Sequence, residues 1–192
     1  MTHTAYPTRR LLVTLLLLLT FAPTLYAQDT VTFDAKQTVG GSLTTVAATA
    51  THVFVNQAGG VSVFEAGTLN RVAKLDGAAS GMVAGNQLLG VRGGTLIITD
   101  ITDPTAPVLL GSVQLDANTG LDATAPVVVG NHAYVGLSSF STGSLKVVDI
   151  STPASPAVVA TISRRAQGVG VANGHVVVLD RQTAEVVAFD VT

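Results

Sequence analysis

Short runs of alternating or continuous apolar residues, each closed by a turn signal, fill this chain from Val46 to its end. Four runs line up as one phase: Val61-Ser62-Val63-Phe64-Glu65-Ala66, Leu96 to Ile101, Leu145 to Ile150, and Val186 to Val191. In each the fifth position is acidic: Glu65, Asp100, Asp149 and Asp190, at offsets of 35, 49 and 41 residues. A second phase precedes each: Ala50 to Val55, Gly85 to Val91, Gly130 to Val135, and Asn173 to Val178. In three of these, Gly-Asn or Asn-Gly supplies the positive φ of a hairpin turn, and an apolar strand follows. Shorter strands flank the pair, such as Val127 to Val129 before it and Val108 to Val113 or Val158 to Ile162 after it.

Four strands per unit, repeated at about forty residues, predict an all-β fold: a small β-propeller of about four four-stranded blades. A single blade cannot bury both faces, so neighbours must stack. The last unit stops after its third strand, while Val31-Thr32-Phe33-Asp34-Ala35 stands as an extra strand before the first. This N-terminal strand is expected to fill the fourth place of the last blade and close the ring. An open ring, by contrast, would allow self-association through bare edges.

Residues 1–27 read as a signal peptide. Arg9 and Arg10 precede the apolar run Leu11 to Ala22, and Leu25-Tyr26-Ala27 offers a cleavage point before Gln28. The run falls short of the roughly 20 residues of a spanning helix. Export to the periplasm, cell surface or exterior is therefore expected, with no stable membrane anchor after cleavage and residues 28–192 as one repeat domain. Charged residues make up 11% of the chain against roughly 25% in ordinary globular proteins. Net charge is −2 and the only adjacent basic pair in the repeat region is Arg164-Arg165, so nucleic acid is not an expected partner. With no cysteine, the fold must rest on packing alone.

Gly130-Asn131-His132-Ala133-Tyr134-Val135 leading to Gly143-Ser144-Leu145-Lys146-Val147-Val148-Asp149-Ile150-Ser151-Thr152-Pro153-Ala154-Ser155-Pro156 resembles the LVIVP-repeat family of β-propellers. The resemblance is strongest in the third unit and good in the second, where Thr102-Asp103-Pro104-Thr105-Ala106-Pro107 follows the acid. It implies an exported repeat protein, with no shared catalytic residue to carry over.

The repeated acids fit Asx-type turns, in which a carboxylate accepts backbone N–H groups two residues on. His52, His132 and His175 share one repeat position with Gln87. Three imidazoles could suggest zinc, but residues just after a hairpin turn belong at the rim rather than the axis. Asp116, Asn118 and Asp122 alternate as calcium-loop donors do, yet Leu121 stands where an EF-hand needs glycine and Val127 where it needs glutamate. A polar surface loop is the expectation there, and no cofactor or metal is called for. Gly168-Val169-Gly170 begins like a dinucleotide fingerprint but runs into the strand Val176 to Leu179.

The expected function is that of a non-catalytic binding or scaffold module for a protein, peptide or glycan. Its contact loops are 56–60, 116–124 and 137–143, and the most distinctive is Ser138, Ser139, Phe140, Ser141 and Thr142. The alternatives are a propeller enzyme with a site at the channel mouth, or a truncated propeller without independent function.

Overall fold

The computed structural model describes residues 43–191 except 58, 80, 118, 119 and 181, all within the unit Gln37–Thr192. The expected signal segment and the closing strand Val31 to Ala35 lie outside the described residues. Among those described there is no helix, and strands form four sheets in chain order. The first blade holds β1 (Leu43–Ala48), β2 (His52–Gln57), β3 (Gly60–Glu65) and β4 (Arg71–Asp76). The second holds β5 (Met82–Ala84), β6 (Gln87–Arg92), β7 (Thr95–Asp100) and β8 (Val108–Gln114). In the third, β10 (Val127–Val129), β11 (His132–Ser138), β12 (Gly143–Asp149) and β13 (Ala157–Ile162) are joined by the short β9 (Asp122–Ala123), which pairs with β11. The fourth has β14 (Ala166–Ala172), β15 (His175–Asp180) and β16 (Glu185–Asp190). Every pairing is antiparallel, and all but that of β9 with β11 join consecutive strands, as short connections allow.

The units repeat in detail. The residue after each acid donates its N–H to the carbonyl of the preceding hairpin turn: Ala66 to Thr51, Ile101 to Asn86, Ile150 to Asn131 and Val191 to Gly174. Third and fourth strands slip register at the same place, between Val63 and Phe64, Ile98 and Thr99, and Val147 and Val148. Such a bulge bends the outer strand and adds to its twist. Gly85 and Gly130 take φ values of 57° and 55° in their turns, as the Gly-Asn signal predicts. The first unit lacks that glycine, and there the Thr49 hydroxyl accepts the His52 N–H at 3.0 Å instead.

The core lies between blades. Phe54, Val61 and Val63 of the first pack with Leu88 and Ile101 of the second. Leu89, Leu96 and Ile98 of the second pack with Ala133, Val135, Leu137 and Val148 of the third. Tyr134 and Leu145 of the third pack with Ala166, Val176 and Val178 of the fourth. Each middle strand therefore sends alternate side chains to opposite neighbours, Leu88 one way and Leu89 the other. This is the radial stacking that a two-residue period permits. Gly111 on β8 shows how tightly the outer rim closes, because a Cβ there would meet the Pro153 carbonyl oxygen at 2.5 Å.

Candidate functional site

Because strands alternate in direction, the connections sort onto two faces. One face carries the turns between second and third strands together with the links from one blade to the next. The described residues of segments 56–60, 116–124 and 137–143 belong to it, so the three sequence-predicted loops share one side of the molecule.

Two clefts open on this face. The larger, of about 470 Å³, is lined by Thr45, Asn56, Gln57, Arg92, Gly93, Gly94 and Asp122, among others. Thr45 on β1 belongs to an innermost strand and Asp122 on β9 pairs opposite Ser138, so the cleft draws on three blades. Arg92 Nη2 donates to the Gln57 carbonyl at 3.1 Å, tying the first and second blades at the cleft floor. The smaller cleft, of about 190 Å³, is lined by Asp116, Leu121, Thr142, Gly143, Ser144, Lys146 and Thr161. Lys146 is buried there, with its Nζ 3.7 Å from Asp116 Oδ2 and 3.4 Å from Thr161 Oγ1. Leu121 borders both clefts.

The turn that carries Phe140 sits beside the smaller cleft and is held in shape. The Ser139 N–H donates to the Thr142 carbonyl at 2.7 Å, and the Ser139 hydroxyl accepts the Thr142 N–H at 3.1 Å. Arg165 Nη2 donates to the Ser139 carbonyl at 3.0 Å, and Gly143 allows the Arg165 backbone to approach closely. Ser138 is buried in β11, while Phe140 stands 90% exposed. Its ring therefore does not tuck against its own blade.

Asp116 turns toward Lys146 and Asp122 toward the larger cleft, while Asn118 lies outside the described residues. Among the described residues no three acidic or imidazole side chains gather as metal ligands would.

The opposite face holds the repeated acids and histidines. Asp100 Oδ1 accepts the Thr102 N–H at 2.8 Å and its hydroxyl at 2.6 Å, and Asp149 Oδ1 accepts the Ser151 N–H at 2.8 Å. These bonds hold both carboxyls below their ordinary pKa. Asp103 is lowered likewise by Thr105, and slightly by the charge of His52 from the neighbouring blade. The repeated histidine and acid, taken separately in the sequence, are cross-strand partners: His52 opposite Glu65, His132 opposite Asp149 and His175 opposite Asp190, with Gln87 opposite Asp100. The charge of His132 adds to the lowering at Asp149.

The basic dipeptide divides its work. Arg165 holds the Phe140 turn, and Arg164 reaches Asp180, 3.2 Å from the buried carboxylate and 3.8 Å from Glu185. Burial pushes the Asp180 pKa up, but the N–H groups of Gln182 and Thr183 and the Arg164 guanidinium outweigh it and leave the carboxyl lowered. Neither role of these arginines was legible in the sequence, because each partner lies more than ten residues away.

Residues 83–115 and 122–163 match the model of the LVIVD repeat, and these are the second and third blades. The fold is a β-propeller, and two of its four blades match the LVIVD repeat. Within the matched residues the third strands β7 and β12 end on Asp100 and Asp149, the acids of the two turns described above, and these are the units in which the resemblance to LVIVP repeats is strongest. Among solved structures, the computationally designed Ika4 protein is similar, at TM-score 0.62 and 17% identity over 81% of this chain and 95% of that one. The β-propeller domain of Myceliophteria thermophila Cps50 (Swd1) gives TM-score 0.57 at 16% identity, over 78% of this chain and 54% of that one. BamB from Moraxella catarrhalis gives TM-score 0.54 at 15% identity, over 76% and 52%. The chain thus spans about half the length of the latter two. At these identities the likeness is one of fold. No curated protein matches the chain.

Proposed function

We propose that this protein is an exported, non-catalytic binding module whose contact surface is the face bearing Phe140 and the two clefts. One observation carries the reading: a large aromatic ring stands 90% exposed on a turn whose backbone is fixed by four internal hydrogen bonds and an arginine. A rigid aromatic anchor loses little conformational freedom on binding, and such residues dominate interface energetics. The neighbouring clefts supply what surrounds an anchor: hydroxyls from Thr142, Ser144 and Thr161, a carboxylate from Asp122 and the guanidinium of Arg92. These groups match the amides and mixed charges of a polypeptide. Export rests on the sequence of residues 1–27, and the low charge content suits a scaffold that works by packing.

Peptides selected from a display library on the intact mature chain test this reading. Replacing Phe140 with serine should weaken the selected peptides at least tenfold and leave the fold unchanged. Undiminished capture by Phe140→Ser would remove this turn from the contact surface.

A further inference from the structure

The position three residues before the acid of each third strand is Ser62 in the first unit, Ile97 in the second, Lys146 in the third and Val187 in the fourth. The unit therefore folds with a small hydroxyl or an aliphatic side chain there, and only the third blade puts a charge in that place. Ser62 satisfies its hydroxyl inside its own blade, on Gln57 Oε1 at 2.7 Å. Lys146 finds no contact as close.

Alternation along β12 puts Ser144, Lys146 and Val148 on one face, and Val148 packs with Leu89 and Ile98 of the second blade. Thr161 stands opposite Lys146 on β13. Lys146 is only 9% exposed, yet its Nζ lies 3.7 Å from Asp116 Oδ2 and 3.4 Å from Thr161 Oγ1. Charge-assisted bonds to an ammonium are about 2.7–2.9 Å long. A charge withdrawn from water costs most where such bonds are incomplete. Ser144 is 8% exposed, and among the described residues its hydroxyl meets no hydrogen-bond partner. Both side chains line the cleft of about 190 Å³, so their donor capacity is directed into it.

The charges around the cleft select the guest. Lys146 and Asp116 are neutral as a pair, so a carboxylate would meet Asp116 and an ammonium would meet Lys146. An apolar group would leave the Ser144 hydroxyl and the Lys146 ammonium without water or partner, at a cost for each. A primary carboxamide carries an acceptor and two donors side by side. Its oxygen takes the donors of Lys146 and Ser144, while its N–H groups are offered to the oxygens of Asp116 and Thr161. Leu121 supplies an apolar wall for the methylenes behind it.

We propose that the smaller cleft is a carboxamide subsite, which receives a glutamine side chain of the bound polypeptide. The proposal rests on the polypeptide reading above and adds its side-chain specificity, but it does not depend on Phe140.

The probes are the N-acetyl methylamides of glutamine, glutamate and methionine, titrated into the intact protein and followed by its backbone amide shifts. The glutamine derivative should saturate in the millimolar range, with shifts at Ser144, Lys146 and Thr161. The glutamate and methionine derivatives should bind at least tenfold more weakly. Ser144→Ala and Lys146→Met should each weaken the glutamine derivative at least threefold, with circular dichroism confirming the fold. If Lys146→Met does not fold, Ser144→Ala alone decides. Phe140→Ser should leave the titration unchanged. Absence of saturation by the glutamine derivative up to its solubility limit overturns the assignment. Equal binding of the glutamate derivative would make the cleft an anion site, and equal binding of the methionine derivative an apolar one; either result overturns it too. Such a failure, with peptide capture still lost in Phe140→Ser, would leave the contact face standing without this subsite.

Discussion

Replacing Leu89 with alanine tests whether blades are held by their facing side chains. Leu89 is fully buried between the second and third blades, against Ala133, Val135 and Val148, whereas Leu109 on the outer strand of the same blade is 50% exposed. The change removes three carbon groups at about 0.8 kcal/mol each, roughly 2.4 kcal/mol of transfer energy. The cavity left in a tightly packed interface raises this to about 3–4 kcal/mol. For a domain of this size each kcal/mol moves the melting midpoint by about 2–4 °C, so Leu89→Ala should melt roughly 6–16 °C lower. Leu109→Ala should cost less than about 1 kcal/mol, since half of its side chain already meets water. Urea titration followed by circular dichroism gives both values. Equal losses at the two sites would refute the reasoning, because they would mean that Leu89 does not face a neighbouring blade.

Three further outcomes follow from the geometry. Asp100, Asp103 and Asp149 have folded pKa values below their ordinary ones, so their stabilisation is complete above the usual carboxylate range and is lost as pH falls through the folded values. Asp100→Asn with Asp149→Asn should therefore flatten the fall of the urea midpoint below about pH 4, and an unchanged slope would remove these turns as its source. Gly111→Val should lower stability strongly, because its side chain would enter the Pro153–Ala154 backbone, and a neutral result would show that the rim is not closed there. Arg164→Ala should lower the melting temperature by leaving the buried Asp180 without its guanidinium partner, while Phe140→Ser should leave it unchanged.

The sequence made the second and third strands of each unit legible, because continuous apolar runs ending on an acid survive in all four. Strands with fewer apolar residues were harder to see. Arg71–Asp76 reads Arg-Val-Ala-Lys-Leu-Asp, is largely exposed on one side, and announces itself only by pairing with β3. The start of β1 at Leu43 precedes Val46, where the apolar pattern begins. The acid turns were legible because a carboxylate and the N–H two residues on are local partners. The pairing of each histidine with the acid across the hairpin depends on register, which turn geometry sets and composition does not. The contact loops could be named from their polar composition, but the clefts between them depend on Arg92 and Lys146. Arg92 meets the Gln57 carbonyl across 35 residues, and such contacts exist only once the blades have stacked.

The central claim is that consecutive sheets stack radially through alternate side chains, and methyl–methyl contacts measured by NMR test it most directly. The account predicts contacts from Leu88 to Val63, from Leu89 to Val148, and from Leu145 to Val178, with none from Val63 to Val148. Strong contacts between Val63 and Val148, with Leu89 silent toward the third sheet, would mean a sandwich and would contradict it.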